Sequence, residues 1–439
     1  MNIPRNILTV LDCLHAAGHE AYVIGGCVRD HLMGLQPHDF DITTSALPEE
    51  TMAVFEGWRV IETGLKHGTV TVMSENEPVE ITTFRVDGEY ADGRHPDSVS
   101  FTRSLREDCA RRDFTMNGIA FAPDVGFCDH FGGMEDIKQG IIRCIGSPDK
   151  RFGEDALRIL RALRFAAVLG FDIEEQTADS LVRNRALLEK VSAERIFEEL
   201  KKLLCGKYAE NVLRVFPEVF AQIIPELAPG IGYEQGSRFH DSDLYTHTAR
   251  AVGAAENTLT VRLAMLLHDI GKLHCRTQDE SGECHYYGHG AISARLAEDI
   301  LRRLKCDNDT RERVCRIIKY HDMPIDGSPR TMRRMLSKHG LDGVHEIIAA
   351  HIADDYGKRP ECQDRIEGYR AALATAEEIF AEQPCLSVRE LAIKGGDIAH
   401  LVPPSPKMGE ILSQLLSEVV DGVLSNERAA LLKRAEELV

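Results

Sequence analysis

The sequence predicts an α+β fold, with a small sheet confined to the N-terminal third and a nearly all-helical chain after it. Three observations predict it. Segments of strand-like alternation occur only before about residue 147. From about residue 153 onward apolar residues recur at helical spacing, with Pro and Gly marking the turns at Pro217, Pro225, Pro229-Gly230, Pro324 to Pro329 and Pro403 to Pro406. A glycine pair, Gly25-Gly26, follows one short apolar segment and precedes a pair of acids, Asp39 and Asp41, at the start of another.

In chain order, residues 7–17 form a first helix, with Ile7, Val10, Leu11 and Leu14 on one face. Strands are expected at 21–24, 39–44, 68–73, 79–85 and 99–101. The 228–236 stretch, with Pro229 and three glycines, is the best linker. At 439 residues the chain has ample length for about three domains. Hydrophobic residues make up 43% and charged residues 28%, as in an ordinary globular protein, and no apolar run approaches a membrane span. The N-terminus lacks the charged-then-apolar pattern of a signal sequence, which predicts a cytoplasmic protein. The twelve cysteines form no C-x-x-C pair and are expected to be reduced core residues.

A net charge of −18 argues against binding a polyanion through a generally basic surface. Charge is uneven, however. Residues 143–207 carry 13 Lys/Arg against 11 Asp/Glu, so a nucleic acid would have to be held locally.

Glycines at 25 and 26 let the backbone approach a phosphate, and Arg29 places a fixed cation beside it. On a strand, Asp39 and Asp41 share a face. Paired carboxylates beside a phosphate site suit a hard cation such as Mg2+. Glu80, Thr82 and Phe84 share a face of the 79–85 strand, and Glu80 is a candidate third acid. Arg111-Arg112-Asp113-Phe114-Thr115-Met116-Asn117 supplies planar cations suited to triphosphate oxygens, with Asp113 as a candidate acceptor for a ribose hydroxyl. Glu154-Asp155-Ala156-Leu157-Arg158 opens a helix that continues through Arg161 and Arg164. Asp155 and Arg158, three apart, are expected on one face. A carboxylate beside a guanidinium offers an acceptor beside a donor. That matches the amine and ring nitrogen of cytosine and adenine, and opposes the reversed edge of uracil and guanine.

Together these strings resemble the nucleotidyltransferase superfamily that includes DNA polymerase beta, and within it the bacterial and eukaryotic tRNA nucleotidyltransferase/poly(A) polymerase family. The resemblance covers about residues 20 to 205. It implies a polymerase-beta-like head and two-metal addition of CCA to the 3′ end of tRNA from CTP and ATP. Mg2+ would sit on Asp39 and Asp41, and Gly25, Gly26, Arg29, Arg112, Asp113, Asp155, Arg158, Arg161 and Arg164 would bind the nucleotide. Asp129 to Asp136, with Gly132-Gly133, resembles a family hinge element. Residues 192–200 resemble a helix-stabilising element, in which Arg195 with Glu199 and Glu198 with Lys202 are expected to pair. A bacterial poly(A) polymerase is the alternative, disfavoured by the absence of a basic tail. A partial CC- or A-adding enzyme is another, disfavoured because residues 87–97 resemble the loop of full CCA-adding members.

A second constellation runs His247, His268-Asp269, His289, His321 and Asp354, with Asp355 as an alternative to Asp354. Imidazole and carboxylate suit a borderline or hard divalent metal. The order resembles the HD phosphohydrolase superfamily over about residues 240 to 360. It implies a second divalent metal, hydrolysis of phosphate esters, and phosphate contacts from Lys272 and Arg276. A chain whose main activity is this hydrolysis, with the head as a nucleotide sensor, is the alternative of another class. The expected organisation is a head over 1–147, a helical neck over 148–232, an HD domain over 233–360 and a helical tail over 361–439.

Overall fold

The computed structural model of the chain describes residues 1–65, 68–88 and 98–439. Most of the 87–97 loop therefore lies outside the described residues. The described chain divides into two compact units, Met1–Pro225 and Glu226–Val439. Among the described residues no helix is long and apolar enough to cross a membrane.

In the first unit the helix Arg5–Ala16 buries Ile7, Val10, Leu11 and Leu14, the face the periodicity predicts. It packs on a seven-stranded sheet, which is larger than expected. The strands are β1 (Ala21–Ile24), β2 (Asp41–Thr44), β3 (Val60–Gly64), β4 (Thr69–Ser74), β5 (Glu77–Thr83), β8 (Ile119–Ala122) and β9 (Gly126–Asp129), in the order β3-β4-β5-β2-β1-β8-β9. The separate hairpin of β6 (Arg85–Asp87) and β7 (Val99–Phe101) lies outside it. Within the main sheet β2 and β5 run parallel, with Ile42 opposite Ile81, and β1 and β2 run antiparallel, with Ile24 opposite Asp41. Strands β3, β8 and β9 fall outside the expected set. The Ile119–Ala122 segment is buried at every position, and such an unbroken apolar run carries no period that separates strand from helix.

The acid-bearing strand is shorter than expected. It begins at Asp41, and Asp39 lies outside it, in the loop that leads into the strand. The expected helix through Glu154 to Arg158 is in fact two helices, Pro148–Glu154 and Leu157–Leu169. Asp155 sits at the junction with extended backbone (φ −142°, ψ 104°), and its carboxylate accepts from the Leu157 N–H at 3.0 Å. A side chain that satisfies a free N–H at a helix start stabilises that break.

The Gly132-Gly133 element is a tightly packed helix start. Asp129 accepts from the N–H groups of Phe131, Gly133 and Met134, and Thr115 Oγ1 donates to Asp136 at 2.6 Å.

The second unit is helical apart from the short hairpin Thr277–Gln278/Cys284–His285. Its long element, Pro329–Gly357, is interrupted at Gly340, where φ is +68°. The C-terminal segment has its own small core, with Leu391, Ile393, Ile411, Leu415 and Leu431 buried together.

A Cβ at Gly133 would stand 2.2 Å from the Thr115 carbonyl oxygen, and that backbone has no room to yield. Gly133→Ala should therefore destabilise the protein by about 2 kcal/mol, as overpacking of a close contact does. The denaturant midpoint should fall, while Gly132→Ala, where nothing lies within 4 Å of the added methyl, tests only the cost of its φ of +77°.

Candidate functional site

The first unit contains a cleft of about 580 Å3. Gly25 has φ +87°, which favours glycine, and a Cβ there would stand 3.6 Å from an Arg112 nitrogen. Gly25 and Gly26 line the cleft with Arg29, Asp39, Asp41, Arg112, Asp113, Asp155, Arg158, Arg161 and Arg164. All of these are residues that the sequence assigns to the site. Arg111, the first arginine of the 111–117 string, also lines it, together with Asn117, Leu157, Phe165 and Arg195, to which the sequence assigns no role there.

Asp39 and Asp41 face this cavity together. Desolvation raises the pKa of Asp41, Arg112 lowers it, and Asp39 raises it again. Two carboxylates whose proximity is unfavourable without a cation form an oxygen donor set suited to Mg2+. Glu80 is different. The register of β2 and β5 sets it level with Asp41, but its side chain is exposed and does not line the cavity. Strand alternation gives a residue's face, not its reach.

The arginines are held by carboxylates. Buried Asp108 accepts from Arg111 at 2.8 and 3.0 Å, from Arg112 at 3.4 Å, and from Thr43 on β2 at 3.1 Å. Burial opposes its charge, but Arg111 and Arg112 outweigh burial and lower its pKa. Arg29 is bonded to Asp30 and to Asn117 Oδ1. The guanidiniums of Arg29, Arg161 and Arg164 lie 5.1, 5.6 and 4.1 Å from the centre of the Phe165 ring, whose negative face eases their crowding.

Asp113 is committed within the protein. Its Oδ2 accepts twice from Arg161, at 2.8 and 2.6 Å, and its Oδ1 accepts from the Phe114 N–H and from Asn117. Burial opposes the charge, yet Arg161 and Asn117 bring the pKa down to about 2. Four donors occupy the four lone pairs of the carboxylate, leaving none for a ribose hydroxyl. Its place in the structure is to orient Arg161.

Asp155 and Arg158 do not pair with each other. Arg158 donates to Glu154 at 2.8 Å and to the carbonyls of Arg151 and Arg111, while Asp155 accepts from Arg195 at 2.9 Å. The expected Arg195–Glu199 pair is replaced, because Glu199 pairs with Arg164 at 3.3 Å. The expected Glu198–Lys202 pair gives way to Glu198–Lys201 at 2.7 Å. The only sequence cue to Arg195 is an arginine in the first turn of a helix following Ser192.

In the second unit His247, His268, Asp269, His289, His321 and Asp354 are all buried and converge. His247 Nε2 lies 3.1 Å from His268 Nε2 and 3.1 Å from Asp354. Asp269 Oδ2 lies 3.2 Å from both His247 and His268, and its Oδ1 lies 3.2 Å from His289. His289 Nε2 and His321 Nε2 are 3.1 Å apart. The Nδ1 atoms of His268, His289 and His321 face the carbonyls of Met265, Tyr286 and Ile318 at 2.7, 2.8 and 2.7 Å. Carbonyls only accept, so these contacts place the proton on Nδ1 and turn a ligating Nε2 into the cluster. Burial opposes protonation of His268, but Asp269 and Asp354 outweigh it and lift its pKa to about 9. Burial and the neighbours His268 and His289 hold His321 well below the usual range. Nitrogen and carboxylate donors in this mixture fit a borderline divalent metal.

Between the two candidate aspartates, the structure brings Asp354 into the cluster; Lys358 pairs with both, at 2.6 Å from Asp354 and 3.0 Å from Asp355. Lys272 is buried against Asp269 at 2.6 Å, whereas Arg276 contacts Cys284 Sγ and the Tyr233 ring.

Comparison with known proteins adds the following. A family model described as the poly A polymerase head domain matches residues 21–143. One described as the probable RNA and SrmB-binding site of polymerase A matches 170–231, and one described as a putative tRNA nucleotidyltransferase domain 2 matches 290–435. The chain is 37% identical over 432 residues to the CCA-adding enzyme of Leuconostoc citreum (strain KM20), covering 98% of this chain and 95% of that one. It is 35% identical over 435 residues to the CCA-adding enzyme of Limosilactobacillus fermentum, covering 98% and 96%. The crystal structure of the Bacillus stearothermophilus CCA-adding enzyme in complex with CTP matches with a TM-score of 0.76 at 32% identity, covering 100% of this chain and 99% of that one. The Thermotoga maritima CCA-adding enzyme complexed with tRNA_CCA shares the fold, with a TM-score of 0.60 at 19% identity, covering 100% and 97%.

The lowered pKa of Asp113 has a definite sign. Its contribution to stability is complete above the ordinary carboxylate pKa near 4 and is lost as pH falls through about 2. Asp113→Asn should cost about 3 kcal/mol at pH 7, because Arg161 loses its buried partner. In urea titrations the gap between wild type and variant should narrow as pH falls from about 4 towards 2; a gap independent of pH would contradict the assignment.

Proposed function

The chain belongs to the CCA-adding enzyme family, and we propose that its cleft adds CCA to the 3′ end of tRNA from CTP and ATP, choosing the base with its own side chains. The observation that carries this reading is the convergence of Asp39 and Asp41, an arginine array and the Asp155/Arg158 pair on one cavity.

The backbone at Gly25-Gly26 and the guanidiniums of Arg29, Arg112 and Arg164 would receive the triphosphate. The 3′-hydroxyl of tRNA attacks the α-phosphorus, the bond to the bridging oxygen breaks, and pyrophosphate leaves. Asp39 and Asp41 would hold Mg2+, whose chemistry here is to favour the attacking hydroxyl and the departing charge. Arg161, aligned by Asp113, adds positive charge to the same wall.

Base choice rests on free valences. Asp155 uses one lone pair on each oxygen, toward Leu157 N–H and Arg195, and keeps an acceptor position on each. Arg158 uses three of its five N–H donors. Acceptor and donor then face the amine and ring nitrogen of C or A. Uracil and guanine would leave both groups unpaired, at about 1–3 kcal/mol for each.

We further propose that residues 233–360 form an HD-type module that hydrolyses phosphate esters, within a chain of head (1–147), neck (148–232), HD module and tail (361–439). What favours this second reading is the set of imidazoles locked with Nε2 inward. The His247, His268, Asp269, His289, His321 and Asp354 donors would hold a divalent metal, which when bound supplies an activated water. A cavity of about 490 Å3 bordered by His321, Asp322, Asp354, Asp355, Lys358, Arg365 and Tyr369 adjoins the cluster and gives it an opening.

Given transcripts ending before, within and after CCA, the protein should extend each only to CCA with CTP and ATP; unlimited A-tailing would sink the reading. Asp41→Ala should lower the rate about 10³-fold. Asp155→Ala should reduce discrimination against UTP and GTP by about 10- to 100-fold, and continued full exclusion of both would show that the base is read elsewhere. His268→Ala should abolish metal-dependent hydrolysis of a cyclic or monoester nucleotide while CCA addition continues. Hydrolysis that survives the change would reject the HD assignment.

A further inference from the structure

The opening beside the His/Asp cluster is larger than a phosphate group needs. It encloses about 490 Å3, a volume that suits a small organic molecule. Its lining divides by chemistry. One part is polar and reaches the cluster through His321, Asp322 and Asp354. The other part is apolar: Met323, Ile325 and Tyr369 line the cavity and pack on the core of Met332, Ile347, Ile348 and Ala372. His321 and Ile325 belong to one short segment of chain, so the two parts are joined.

The apolar part is held in place before any ligand arrives. His351 directs its two ring nitrogens at the carbonyls of Ile347 and Met323, both at 2.8 Å. The Tyr369 ring packs edge-to-face against it, with ring centres 5.2 Å apart. Gly368 gives a second, independent sign. It lies in the helix Ile366–Ala381 and lines the cavity, and an added Cβ would meet nothing within 4 Å. Neither packing nor backbone conformation requires glycine there, and a helix is steadier with alanine. The missing side chain keeps the cavity open.

We propose that this cavity binds the nucleoside part of a phosphate ester, with the base against Tyr369 and Ile325 and the ribose toward Asp322. The proposal rests on the reading of the His/Asp cluster as a hydrolytic metal centre. A flat base stacks on an aromatic ring whatever its identity. Asp322 is half-exposed and accepts from ribose hydroxyls. An aliphatic chain would leave Asp322 without a partner, and a bare sugar would leave the apolar wall in water. In the hydrolysis, water adds to phosphorus and the bond from phosphorus to the ribose oxygen breaks. That oxygen leaves as the nucleoside hydroxyl, with a proton from the water.

The test compares two monoesters, a nucleoside 3′-monophosphate and glycerol phosphate, with the full-length protein in Mn2+. Wild type should hydrolyse the nucleotide with a kcat/KM about tenfold above that for glycerol phosphate, through a lower KM. Gly368→Trp, which fills the cavity, and Tyr369→Ala, which removes its wall, should each cut that preference about tenfold. A far-UV circular dichroism spectrum like that of wild type reports that each variant is folded. A short RNA ending in the same 3′-phosphate identifies the source of the nucleoside. Faster cleavage of the RNA assigns the cavity to an RNA end, and faster cleavage of the free nucleotide assigns it to mononucleotides; either supports a nucleoside site. No preference in wild type, or a preference unchanged in both variants, would overturn the proposal. If wild type hydrolyses neither ester, the metal-centre reading falls first and takes the nucleoside site with it.

Discussion

Seven arginines face one cleft: Arg29, Arg111, Arg112, Arg158, Arg161, Arg164 and Arg195. Each is tied to a carboxylate, respectively Asp30, Asp108, Asp108, Glu154, Asp113, Glu199 and Asp155. Without those partners the guanidiniums would repel one another and swing toward solvent. With them, each fork is fixed and its unused N–H donors point where a polyphosphate can meet them. This is how a chain with net charge −18 would offer the proposed triphosphate site: the positive charge is held in place by negative charge behind it.

The ties also join the elements that must act together. Asp108 links the arginines at 111 and 112 to Thr43, on the strand that starts at Asp41. Asp113 links the same region to Arg161 on the helix Leu157–Leu169, and Glu199 and Asp155 link that helix and its junction to the helix Ala193–Leu204. Partly buried ion pairs add little net stability, since desolvation offsets attraction, but they penalise every arrangement that leaves one member alone. Stability comes instead from the apolar layer of Leu11, Leu14, Val23, Ile42 and Ile81 beneath the sheet. The polar network sets geometry.

Much of this is legible in the sequence where chemistry depends on local spacing. The Gly25-Gly26 turn, the Asp39/Asp41 pair, Arg112 and the arginines at 158, 161 and 164 all line the cleft. The ordered ligands of the second unit do converge. What is not legible depends on partners remote in sequence. Helical spacing cannot reveal that Asp155 breaks the helix by capping it, nor that its partner is Arg195, forty residues on. Asp113 reads as a ribose acceptor because its charge shows in the sequence, whereas its four internal donors do not. Glu80 reads as a third acid because alternation gives its face, but its exposed side chain stays out of the cavity. Choosing Asp354 over Asp355 takes packing, since neighbours on a helix point about 100° apart. Strand β8 escapes notice because a short, wholly buried segment has no period.

The proposed base selection lies in side chains already positioned before any RNA arrives. Equilibrium titration of the tRNA-free protein with each of the four ribonucleoside triphosphates, in Mg2+, tests that most directly. CTP and ATP should each bind about 10- to 100-fold more tightly than UTP and GTP, as expected from one or two hydrogen bonds left unmade. Equal affinity for all four would contradict it, and would move the choice of base from the cleft to the RNA.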